Sequence, residues 1–102
     1  MVDVFDFDPL DDTEKRTERA KAREFRKTRW WQQKTASGLC HYCGMKTAYR
    51  NLTMDHLVPL ARGGRSTKNN LVPACKDCNN KKKCMLPLEW EEYLEKIEKG
   101  DV

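Results

Sequence analysis

Apolar residues are thinly spread along this chain, and only one stretch arranges them with a clear period. Trp90, Tyr93, Leu94 and Ile97 fall at i, i+3, i+4 and i+7, the spacing that lines one face of an α-helix. Pro87 before the stripe and Gly100 after it predict a helix over residues 87–99 with the stripe turned to the core. A second helix-forming stretch follows a capping hydroxyl at Thr13 and runs to Ala36, with Gly38 as its stop. Its few apolar residues, Ala20, Ala22, Phe25, Trp30 and Trp31, make no stripe, so one long basic helix over 13–36 that buries little is expected. Between these helices, Lys46–Tyr49 and Leu52–His56 read as short strands around a turn at Arg50-Asn51. A loop with Pro59 and Gly63-Gly64 follows, then an extended piece over 70–74 and a helix starting near Lys76. Residues 1–12 read as an acidic, flexible N-terminus, and residues 13–102 as one domain with its centre over 39–83.

Composition explains why so few apolar positions could suffice only with help. With 102 residues, 38% apolar and 35% charged, and a mean hydropathy of -0.90, the chain has little from which to build a core. Domains of this kind commonly need a staple, and a structural metal is one. No apolar run reaches the length of a membrane span and the N-terminus lacks a signal-peptide pattern, so a cytoplasmic protein with no membrane contact is expected. There, paired cysteines favour metal over disulfide.

Charge is segregated. Residues 1–12 carry −5, residues 13–36 carry +6, residues 37–87 carry +7 and residues 88–102 carry −4. The basic middle suits a polyanion. Arg19, Arg23 and Arg26 on the basic helix, with Arg62, Arg65 and Lys81 further on, are the candidate nucleic-acid contacts. A solvated basic surface would carry the same charge, so charge alone does not decide the matter.

Two Cys-x-x-Cys pairs, Cys40/Cys43 and Cys75/Cys78, offer four soft thiolates from two tight turns. That set suits tetrahedral Zn²⁺, and with no open position the zinc should be structural. His41 lies inside the first knuckle and reads as a surface imidazole, since a fourth sulfur already exists. Cys84 is the odd cysteine and reads as packed at a helix end, with an exposed thiol as the other possibility.

Inside this frame stand residues of another chemistry. Asp55 offers a hard oxygen for Mg²⁺ or Mn²⁺, and adjacent His56 offers an imidazole able to deprotonate water. Neighbours on a strand point to opposite faces, so a shared site needs a strand end or bend at this point. Asn79, near a helix N-terminus, offers a second hard oxygen, and Lys82 shares its helix face and could stabilise phosphate charge. Taken singly, these residues would more often be a surface pair or an N-cap; their combination favours catalysis.

The string Cys40-His-Tyr-Cys43, Asp55-His56-Leu57-Val58-Pro59-Leu60, Gly63-Gly64 and Asn70-Leu71 through Cys75, Cys78, Asn79 and Lys82 resembles the HNH endonuclease family. The resemblance implies a small α+β protein with a ββα-metal (His-Me finger) hairpin-helix core, stapled by a structural zinc on the four cysteines and flanked by N- and C-terminal helices. It implies further that Asp55 and Asn79 bind one catalytic Mg²⁺ or Mn²⁺, that His56 is the general base, and that Asn70 ties the loop to the hairpin and orients His56. The expected activity is a metal-dependent DNA endonuclease nicking one strand of duplex DNA per active site, as a monomer or weak homodimer. A non-catalytic zinc module that binds nucleic acid is the alternative.

Overall fold

The computed structural model describes residues 10–100; most of the expected acidic N-terminus, residues 1–9, lies outside them. Two antiparallel strands, β1 (Leu52–His56) and β2 (Leu71–Cys75), form the centre. The register pairs Leu52 with Cys75, Asp55 with Val72 and His56 with Leu71. Helix α3 (Lys76–Lys82) follows β2 directly, with Cys75 as its N-cap, so hairpin and helix make the ββα unit. Helices α1 (Asp12–Arg26) and α2 (Arg29–Ala36) precede it, and α4 (Pro87–Glu98) closes the chain. The protein is therefore a small α+β fold built on a two-stranded sheet. No helix among the described residues is long and apolar enough to cross a membrane.

Three expectations change. The basic stretch is two helices, because Thr28 is extended (φ −87°, ψ 157°) and caps a new helix by accepting the Trp31 amide on its hydroxyl. This break turns Trp31 and Thr35 into the core. The first helix is also capped earlier in the chain: Asp11, not Thr13, accepts from the Glu14 amide at 2.7 Å, and the Glu14 carboxylate accepts the Asp11 amide in return at 3.3 Å. Finally, the partner of Leu52–His56 is Leu71–Cys75, not Lys46–Tyr49. Lys46 makes only a single bridge to Leu39, and Tyr49–Asn51 is a 3₁₀ turn. Local alternation could not reveal this pairing, since the partners are separated by the loop over 57–70.

The loop returns on itself tightly. Asn70 accepts from the Val58 amide at 2.8 Å and donates to the carbonyls of Val58 (3.1 Å) and Arg65 (2.8 Å). Gly64 passes so close to Val58 that a Cβ would lie 1.7 Å from its carbonyl oxygen, so no side chain fits there. One core cluster forms around the cysteines: Cys40, Ala74, Cys78 and Trp90 are buried together, with Tyr42, Met85 and Tyr93 packed against them. The α4 stripe is only half used. Trp90 is buried and Tyr93 half-buried, but Leu94 and Ile97 at the far end are exposed.

Candidate active site and metal centre

The four cysteine sulfurs lie within 4.8 Å of one another, and Cys43 and Cys75 are 3.9 Å apart. Tetrahedral Zn²⁺ with Zn–S bonds of about 2.3 Å requires sulfurs roughly 3.8 Å apart, so the set fits the ion. The thiols also need a cation. Burial opposes ionisation of Cys40, but backbone hydrogen bonds from Cys43, Cys75 and Tyr42 outweigh it and hold the thiol at about 7. Burial and the surrounding cysteines push Cys78 far upward. One thiolate forms readily and the next are opposed, the pattern a bound dication would relieve. His41 is exposed, stacked edge-on against Tyr42, and outside the set. Cys84 stands at the end of α3 as expected, but exposed.

Residues of β1 leave on alternate faces. Thr53 and Asp55 face α3. Met54 and His56 face α1, where they line a cleft of about 290 Å³ with Leu60, Ala22, Arg19, Arg23 and Arg26. His56 is the last residue of β1.

On the α3 face, Asp55 is buried and receives the Tyr42 hydroxyl on Oδ2. The Lys82 ammonium sits 3.2 Å from the same oxygen. Neither donor reaches Oδ1, which takes no protein donor among the described residues. Burial first, then the neighbouring carboxylate, push the Tyr42 phenol far above its ordinary value, so it stays a donor. Lys82 is completely buried, its ammonium also held by the carbonyls of His56 (3.2 Å) and Leu57 (3.3 Å). Helix α3 therefore delivers Lys82 to Asp55 and the strand end rather than to the surface where a phosphate would arrive. Asn79, one turn earlier, donates Nδ2 to Thr53 Oγ1 at 2.9 Å. Thr53 gives its own proton to the Ala74 carbonyl at 2.9 Å, so the amide's orientation is fixed and Oδ1 is left for a ligand. Two hard oxygens, Asp55 Oδ1 and Asn79 Oδ1, are thus unclaimed on this face, a donor set that suits Mg²⁺ or Mn²⁺.

On the α1 face, His56 Nε2 lies 2.9 Å from Ser66 Oγ. Ser66 donates its only hydroxyl proton to the Glu18 carbonyl at 2.6 Å. Nε2 must then be the donor, which leaves Nδ1 as the basic nitrogen of the neutral ring. Burial holds the imidazole below its ordinary value and so favours that neutral form. Glu18 is almost fully buried and accepts the Ser66 amide at 2.5 Å and Lys21 at 3.1 Å.

The six basic candidates divide. Arg62 pairs with Glu89 at 2.9 Å, Arg65 with Glu14 at 3.0 Å and Lys81 with Asp77 at 3.0 Å. Arg19, Arg23 and Arg26 enter none of the ion pairs among the described residues and stand beside His56. By sequence alone they belong to a separate positioning helix. Tyr42, Thr53, Ser66 and Glu18 are partners of the candidate residues that sequence reasoning misses. Thr53 was open to discovery, being two residues before Asp55 on one strand; Ser66 and Glu18 are 48 residues apart and carried no such signal.

Residues 40–84 carry the HNH endonuclease signature: they match the model of that family. The ββα core and the cluster of four cysteines described above lie within this segment. The chain is also 46% identical over 44 residues to the CRISPR-associated endonuclease Cas9 of Corynebacterium diphtheriae. That stretch is 42% of this chain and 4% of the relative, so the chain spans a small part of that protein's length. The family resemblance read from the sequence holds over this segment, and it makes the segment nuclease-like.

Proposed function

We propose that this protein is a divalent-metal-dependent DNA endonuclease that hydrolyses phosphodiester bonds, nicking one strand of a duplex per active site. The observation that supports the reading is that the candidate residues flank the end of β1 on its two faces. Asp55 Oδ1 and Asn79 Oδ1 are unclaimed on one face. A neutral His56 with Nδ1 basic lies on the other, beside three arginines that enter no ion pair among the described residues. In this reading His56 Nδ1 takes a proton from the attacking water. Asp55 and Asn79 hold the Mg²⁺ or Mn²⁺ ion, which when bound would neutralise charge on the scissile phosphate and leaving oxygen. Asn70 keeps the loop, and with it Leu57 and Val58, fixed behind His56. Arg19, Arg23 and Arg26 would hold the DNA backbone over the cleft without reading bases. Lys82 acts by holding Asp55. The zinc takes no part in the chemistry. A cytoplasmic monomer or weak homodimer suits this role.

Supercoiled plasmid tests the reading. Wild-type protein should convert it to open circles in Mg²⁺ or Mn²⁺, and the His56→Ala variant should not. DNA binding with no cleavage in either metal would instead favour the non-catalytic zinc module.

A further inference from the structure

Tyr42 belongs to both metal sites at once. It sits between Cys40 and Cys43, and its main-chain amide points at Cys40 Sγ at 3.4 Å. Two side chains pack against its ring. Trp90 of α4 packs edge-on with centroids 5.6 Å apart, and the Lys82 ammonium lies 5.4 Å from the ring centre. Its hydroxyl donates to Asp55 Oδ2. A ring needed only to fill the core would pack as well without that hydroxyl. Asp55, in contrast, has a side chain free to turn about two bonds, and the oxygen it offers depends on which one is occupied.

We propose that Tyr42 is a positioning residue for the catalytic divalent ion: by engaging Asp55 Oδ2 from the zinc knuckle, it holds Oδ1 toward the ion and makes that site depend on the zinc frame. The inference rests on the reading that Asp55 and Asn79 hold the ion. Lys82 reinforces the orientation through the same oxygen from α3, the helix that carries Cys78, whereas Tyr42 stands inside the first knuckle itself. The two metals would then be linked in one direction that matters for function: a loosened knuckle releases the hydroxyl, and Asp55 loses its orientation before the hairpin itself opens.

The experiment uses the full zinc-loaded chain and Mn²⁺ as the probe, with affinity measured by calorimetry. Loss of a partner behind a metal ligand typically weakens affinity about 10–100-fold. Tyr42→Phe should weaken Mn²⁺ binding by that amount while keeping its zinc and its melting temperature, and raised Mn²⁺ should restore its plasmid-cleavage rate. Unchanged Mn²⁺ affinity in Tyr42→Phe, with binding lost in Asp55→Asn, would overturn the inference and leave the ion site standing. Unchanged affinity in Asp55→Asn would instead remove the ion site on which it rests. If Tyr42→Phe loses zinc or melts early, wild-type protein decides. With tyrosine ¹³Cζ labelling, the Tyr42 resonance should shift on Mg²⁺ titration while that of exposed Tyr49 stays in place. A stationary Tyr42 resonance would overturn the inference.

Discussion

The two faces of the β1–β2 hairpin are held by different means. On the α3 face the parts come from the first knuckle, from β1 and from the helix that runs straight out of the second knuckle with Asn79 and Lys82. On the α1 face the parts come from far apart, and the joint is polar. Glu18 of α1 reaches Ser66 in the loop, and Ser66 reaches His56. Each face contains one almost fully buried charged side chain, Lys82 on one and Glu18 on the other. Each of these charges has its partners, as burial requires. The difference is that the α3 face has four clustered cysteines behind it, whereas the α1 face relies on hydrogen bonds and the small buried side chain of Ala22. Hence the ion-binding half should be robust and the base-positioning half easily disturbed.

The largest effect should come from removing the zinc frame. Cys75→Ser, or prolonged strong chelation, should abolish the cooperative melting transition seen by circular dichroism, because the four cysteines hold together the core cluster that contains Cys40 and Cys78. Brief exposure to a weaker chelator should stop cleavage while the transition remains. Elemental analysis of folded wild-type protein that found no zinc would overturn this picture.

Next in size is the base. His56→Ala should lower cleavage on the order of 10²–10⁴-fold with zinc content and melting temperature nearly unchanged. Its support should matter less: Ser66→Ala should lose only part of that rate, since Nε2 loses its fixed partner but Nδ1 remains. A full-sized loss with an intact fold would move Ser66 into the chemistry itself.

A smaller, pH-dependent effect tests the α1 joint. Burial would raise the Glu18 carboxyl, but the Ser66 amide, Lys21 and Arg65 together hold it below its ordinary 4.5. A carboxyl depressed on folding stabilises fully above its unfolded value, and the contribution fades as pH falls through the lower folded one. Docking of α1 should therefore weaken only below about pH 4.5. Glu18→Gln should remove that dependence and cost about 1–3 kcal/mol, as read from urea melts across pH. An identical acid limb in this variant would assign it to another group.

The smallest effect concerns the cleft rim. Replacing Arg19, Arg23 and Arg26 with Gln should weaken duplex binding alike for unrelated sequences, lowering the salt slope by roughly one unit per lost contact. Binding titrations over a range of salt concentrations check this. Equivalent replacement of Arg62, Arg65 and Lys81, already paired with carboxylates, should change the slope less.

Short spacings are what this chain encodes without help from its fold. Two residues between paired cysteines place both sulfurs in one turn, and Asn79 and Lys82 share a helix face because they are three apart. The cysteine cluster was legible for that reason, whereas the ββα centre was expected only through the resemblance to a known family. Contacts between distant residues became visible only in the folded molecule. Strand β1 pairs with β2 across a loop closed by Asn70. Thr28 splits the basic stretch because its hydroxyl caps a new helix, and Trp31 can then enter the core. Lys82, which looked like a free phosphate contact, is buried on Asp55, and Arg65 is drawn to Glu14 and Glu18. A charge on the chain has no partner until the fold brings one within a few ångströms. The pairing of charges, and with it the division into arginines that face the cleft and bases that hold the fold together, therefore belongs to the tertiary structure.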